Sequence, residues 1–133
     1  MLVARRQHSP HQELLLLGSL ITGIAYTVGV PPPESIAALL PSWQVHVWAA
    51  AMLLSGLAGL MGCYWQRDFV TARKLESGAM ELGAGAMIVY SGCLFVYAGE
   101  RAMGAGVVFG LWAAANMWRS FQIHQELKEM TRK

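Results

Sequence analysis

The stretch Val45–Trp65, VHVWAAAMLLSGLAGLMGCYW, runs for 21 residues without an Asp, Glu, Lys or Arg. At about 1.5 Å per residue, a helix of that length rises roughly 31 Å, which matches a bilayer hydrocarbon core of about 30 Å. Three more uncharged stretches accompany it: Leu14–Val30 before it, and Leu82–Gly99 and Ala102–Trp118 after it. These hold only 17 or 18 residues, near the lower limit for a membrane span, so the first and fourth borrow flanking polar residues. A soluble bundle needs a polar outer face on each helix. Four helices apolar all round, in a chain of 133 residues, leave no such face.

Charge placement orients the four spans. Nine of the ten Lys and Arg residues (Arg5, Arg6, Arg67, Arg73, Lys74, Arg119, Lys128, Arg132 and Lys133) precede the first stretch, join the second to the third, or follow the fourth. Only Arg101 has the opposite parity. Basic residues resist translocation, so both termini are expected in the cytoplasm, with the chain multi-pass in a bacterial inner membrane. The fold class is therefore all-α: one domain, residues 1–133, forming an integral bundle of four transmembrane helices.

Composition agrees, with 55% hydrophobic and 14% charged residues and a net charge of +2, too small to imply a nucleic-acid partner. The bilayer itself is the expected partner. Arg5 and Arg6 ahead of an apolar run resemble the start of a signal peptide, but the run is long and no small-x-small site precedes Pro31-Pro32-Pro33. It reads as an uncleaved first span. Cys63 and Cys93 fall at different depths and are expected to be free packing residues.

Local signals mark the helix ends. Ser9 offers a cap, Pro10 suits the first helical position and Gln12 completes a capping box. The prolines after Val30 stop helix one, and Ile36, Leu39 and Leu40 suggest a turn or two lying on the outer interface. Asp68 is placed to cap a third helix that starts in the cytoplasm. The fourth helix continues past Trp118 as an amphipathic C-terminal extension carrying Ile123, Leu127 and Met130, with Glu129 set to pair with Lys133. Trp43, Trp48, Tyr64, Trp65, Tyr97 and Trp118 lie where headgroups would be and form an expected aromatic belt.

Small residues recur every four positions: Ala51, Ser55, Gly59 and Cys63 on the second helix, and Ala102, Gly106, Gly110 and Ala114 on the fourth. Such stripes let backbones approach, either within the chain or between copies in a homo-oligomer.

Chemistry is sparse. The four stretches hold no Asp, Glu, Lys or Arg. His46 stands alone, and His8, His11 and His124 are scattered in the flanks, so no catalytic residue, metal ligand or cofactor is expected. Asn116 is the most polar residue within a span and reads as an interhelical hydrogen-bond partner. Ser19, Thr22 and Tyr26 form a polar stripe on the first helix. Glu13, Arg67, Glu81 and Arg119 are expected at one level at the inner boundary, with Glu81 paired to Arg119 or Arg67, since an isolated charge there is costly. Coupled transport relies on a carboxylate within the membrane, and Glu13 and Glu81 read as boundary residues instead.

Four short stretches carry a resemblance. Pro31-Pro32-Pro33-Glu34-Ser35, Leu40-Pro41-Ser42-Trp43, Tyr64-Trp65-Gln66-Arg67-Asp68 and Trp118-Arg119-Ser120-Phe121-Gln122-Ile123 together resemble small four-span membrane proteins of actinobacterial phages and prophages. The resemblance implies topology and no catalytic set; in function it implies a holin or holin accessory. The leading expectation is thus a non-enzymatic, self-associating membrane protein, holin-like in mechanism. Alternatives are a small transporter or channel, and a membrane scaffold whose C-terminal helix binds a cytoplasmic protein.

Overall fold

The computed structural model describes residues 10–64 and 67–132, and every regular element among them is helical. They are α1 (Pro10–Thr27), α2 (Glu34–Leu39), α3 (Ser42–Tyr64), α4 (Phe69–Ala98), a 3-10 turn (Gly99–Ala102) and α5 (Met103–Thr131). Ser9, His8, Arg5, Arg6, Trp65 and Lys133, which the sequence singles out, lie outside the described residues.

Two helical runs are long and apolar enough to cross a membrane: Ser42–Tyr64, and the 63-residue run Phe69–Thr131. The second is the α4–α5 hairpin, closed at the 3-10 turn, where Gly99 takes a φ of 52°. That turn contains Glu100 and Arg101, as the sequence suggests. The expected first span, 14–30, is cut short. α1 stops at Thr27, whose hydroxyl donates to the Gly23 and Ile24 carbonyls, and Gly29 follows at φ 105°. Its apolar part, Leu14–Thr27, rises only about 21 Å.

The helix starts follow local chemistry. Pro10 is the first described residue of α1. Asp68 caps α4, its carboxylate accepting from the Val70 and Thr71 amides and from the Thr71 hydroxyl. The Gln12 amide donates to Glu76 of α4, and the capping box expected with Ser9 lies outside the described residues.

Packing runs α1 on α3, α3 on α4 and α4 on α5. α1 and α3 approach almost to backbone contact. A Cβ on Gly23 would lie 2.4 Å from the Leu53 nitrogen, and one on Gly56 would lie 2.4 Å from the Leu20 nitrogen. α1 and α5 make no comparably close approach among the described residues; side chains bridge them. Small residues and serines fill the interior, Ser55 donating to the Ala79 carbonyl and Ser91 to the Gly106 carbonyl. Large apolar side chains such as Leu14, Ile21, Leu54, Ile88, Val108 and Leu111 point outward. That inversion of inside and outside suits a bundle whose solvent is lipid, where close van der Waals packing and interhelical hydrogen bonds hold helices together.

α2 differs from expectation. Ile36 is fully buried among Trp48, Met87 and their neighbours, and Tyr97 donates to Glu34 at 3.2 Å. The segment therefore folds back onto the end of the bundle, because an apolar side chain finds a gap between α3 and α4 there.

Candidate functional site

The polar centre of the molecule is Glu76, a residue the sequence reading passed over. It sits two turns into α4, and it is 1% exposed. Gly62 of α3 makes room for it: a Cβ there would meet the Glu76 nitrogen at 2.9 Å. The carboxylate accepts from Gln12 Nε2 at 2.6 Å, Arg73 Nη1 at 2.8 Å and Arg119 Nη2 at 3.3 Å. Glu126 closes the cluster, 3.3 Å from Arg73 Nη2 and 3.7 Å from Arg119 Nη1. Two carboxylates face two guanidiniums, so the cluster is neutral, and it ties α1, α4 and α5 together. The Nε atoms of Arg73 and Arg119 are buried without an acceptor among the described residues. Each guanidinium thus spends its terminal nitrogens on the carboxylates.

Glu81 belongs to a second group. It accepts from Ser120 Oγ at 2.6 Å, and Ser120 in turn lies 2.8 Å from Ser77 Oγ. His124 Nδ1 is 3.1 Å from Ser77 Oγ and 3.9 Å from Glu81. The expected pairing of Glu81 with Arg119 or Arg67 is therefore corrected. Arg119 turns one helical turn back to the fully buried Glu76, where its charge is better matched, and Arg67 makes no ion pair with a described residue.

The single level expected for these four residues is corrected too. Tyr64 reaches Glu13 at 3.4 Å, which places Glu13 and the neighbouring Arg67 at the end of α3. Ser55, the midpoint of the 45–65 stretch, contacts Ala79 and lies within 2.5 Å of a Cβ built on Gly83. Glu81 lies between those two residues. Its level is the middle of the α3 stretch, about 13 Å from Tyr64 along the helix. Sequence placed Glu81 at a boundary because it precedes the apolar run of its own helix. The α3–α4 register moves it inward.

The belt residues divide. Trp43, Tyr64, Tyr97 and Trp118 are exposed, but Trp118 lies between Asn116 and Ser120, at the level of Glu81 and not at an end of the bundle. Trp48 is buried: it is 6% exposed, and its indole N–H donates to the Ala86 carbonyl at 2.9 Å. It stands in a ladder of rings from Tyr26 through Trp48, Tyr90 and Phe109 to Trp112, with centroids 4.6 to 6.1 Å apart.

The stripes are placed as follows. Ser55, Gly59 and Cys63 are buried, Gly59 against Leu16, while Ala51 is half-buried. Gly106 packs on Phe95 and Gly110 faces Ser91, so both serve the α4–α5 contact. Ala102 is half-buried and Ala114 is exposed, because a four-residue spacing drifts around the helix; Ala113, Asn116 and Ser120 carry the inner face onward. Asn116 is buried beside Gly83, and Cys63 and Cys93 are both buried. His46 is exposed and bonds to its own helix at the Ser42 carbonyl. Among the described residues, no group of three or more His, Cys, Asp or Glu is arranged to hold a metal ion.

No protein-family model, curated protein or solved structure matches this chain. The functional reading therefore rests on the geometry.

Proposed function

We propose that this chain is a four-span protein of a bacterial inner membrane, both termini cytoplasmic, that acts by self-association in the manner of a holin and not by chemistry at a site. The observation that carries the reading lies on the outer face of α4. Gly78, Gly85 and Gly92 stand seven residues apart on one side of the helix, and a Cβ on any of them would meet nothing within 4 Å. Spacing by seven keeps them in line, and in lipid a bare glycine face offers close approach to another helix. The Gly23, Gly56 and Gly106 contacts are already used inside the chain. The likeness to small phage membrane proteins supports the same reading.

The test is Gly85→Leu. Nothing in the monomer opposes the new side chain, so folding is expected to be unchanged while oligomer order in mild detergent falls. Induced expression of the wild type in a bacterial host should depolarise the membrane abruptly, and the variant should delay or abolish this. Continued growth without depolarisation, or a variant of unchanged oligomer order, refutes the proposal.

A second reading, a small ion-coupled transporter or channel, is favoured by the level of Glu81. Its carboxylate is half-exposed beside Ser120 and His124 at the middle of the α3 stretch, and ionisable groups at membrane depth commonly mark ion pathways. Here Glu81→Gln is expected to abolish flux into proteoliposomes. Flux that survives the substitution removes this reading.

A further inference from the structure

The α1–α5 side of the bundle carries a half-open cavity of about 170 Å³. Its wall contains five aromatic rings, one or more from each long helix: Tyr26, Trp48, Tyr90, Phe109 and Trp112. Between α1 and α3 the chain uses glycine to reach backbone contact. At the cavity it holds α1 and α5 apart, sets rings between them and leaves space.

The chemistry of the wall is one-sided. No Asp, Glu, Lys or Arg lines it; the remaining contacts are Met52, Met87, Thr22 and Pro33. The Trp48 N–H is committed to the Ala86 carbonyl, which fixes that ring in place. Tyr90 and Phe109 meet edge to face, with an interplanar angle of 61° and centroids 4.6 Å apart. Rings in such mixed orientations present both edges and electron-rich faces to the space between them, and the faces attract cations, most strongly for Trp. The cavity has room for a compact cation bearing methyl groups, whose charge is spread and whose surface is largely apolar. Such an ion loses little hydration on entry compared with an ammonium.

We infer that this aromatic cavity is a binding site for a quaternary ammonium group, held by the faces of Trp48, Tyr90 and Trp112. The group can come from a free cation such as choline or from the headgroup of a phosphatidylcholine lipid. The inference holds whether or not the chain self-associates.

The test uses the full chain in nanodiscs of phosphatidylglycerol and phosphatidylethanolamine, which contain no quaternary ammonium. Choline is titrated against its neutral isostere 3,3-dimethylbutan-1-ol, with tryptophan emission and the indole N–H resonance of Trp48 as readouts. Choline is expected to bind at least tenfold more tightly than the isostere. Tyr90→Leu and Trp112→Leu should each weaken choline binding about five- to tenfold and leave isostere binding within about twofold. Tyr90→Phe, which keeps the ring and the packing, should retain choline binding, so a fold defect in the leucine variants does not decide the outcome. Repeating the titration in phosphatidylcholine discs separates the sources. Suppressed binding there assigns the site to the lipid headgroup, and unchanged binding assigns it to the free cation. Equal binding of choline and the isostere, or no choline binding in the first discs, overturns the inference.

Discussion

Replacing Glu76 by Gln removes one charge from the middle of a neutral cluster and leaves two arginines facing a single carboxylate. The side chains of Arg73 and Arg119 are only 11% and 24% exposed, and Glu126, their remaining partner, is 42% exposed. Removing one member of a buried ion pair typically costs about 3–5 kcal/mol, because the partner is left charged and desolvated. The lower end applies here, about 3 kcal/mol, since both guanidiniums keep Glu126 at 3.3 and 3.7 Å and Gln retains an acceptor oxygen. The assay is reversible unfolding in mixed detergent micelles, followed by far-ultraviolet circular dichroism. A double-mutant cycle adds the specific test. Glu76→Met with Arg119→Met should cost less than the sum of the two single losses, by about 1–3 kcal/mol. The corresponding cycle between Glu81 and Arg119 should be additive within about 0.5 kcal/mol, because those two side chains answer to different partners. A loss below about 1 kcal/mol for Glu76→Gln, or additivity in its cycle with Arg119, refutes the reasoning.

Glycine contacts give a second comparison: Gly56→Ala must push the Leu20 backbone away and should destabilise by about 1–3 kcal/mol, whereas Gly110→Ala, 3.6 Å from Ser91 Oγ, should be nearly neutral in the same unfolding assay. At the start of α4, the Thr71 hydroxyl and then the Val70 amide hold the Asp68 carboxyl below its ordinary range. Its capping contribution is therefore complete above the ordinary aspartate pKa of about 3.9 and is lost as the pH falls through the lowered value. The protection of the Val70 amide, taken relative to its intrinsic exchange rate at each pH, should hold from pH 7 to 5 and fall only at lower pH; early fraying above pH 5 counts against the cap. For topology, Ser35 and Ser120 are buried and unsuitable as labelling sites. Single cysteines at the exposed positions Ala38 and Gln125, in a chain lacking Cys63 and Cys93, should instead be labelled from opposite sides of the membrane. Labelling of both from outside intact cells contradicts the proposed orientation.

Local chemistry was legible in the order of residues, because it depends on neighbours in the chain. Asp68, the turn at Glu100-Arg101 and the helical C-terminal extension all stand where the sequence puts them. So does the apolar character of the long helices, which is a property of composition. What α3 does to α4 could not be read that way. Apolar stretches define a depth for each helix alone, and the stretch on α4 begins at Leu82. Contact of Ser55 with Ala79, and of Gly62 with Glu76, slides α4 so that charges just outside its own stretch meet the interior of its neighbours. That register made Glu76 the hub in place of Glu81. It also drew Trp48 from the expected belt into the ring ladder, because α3 presents that residue to Ala86. Hydropathy is summed along one helix, whereas the partner of a charge or a ring is chosen by how two helices are offset, and that offset is settled only when their small residues lock.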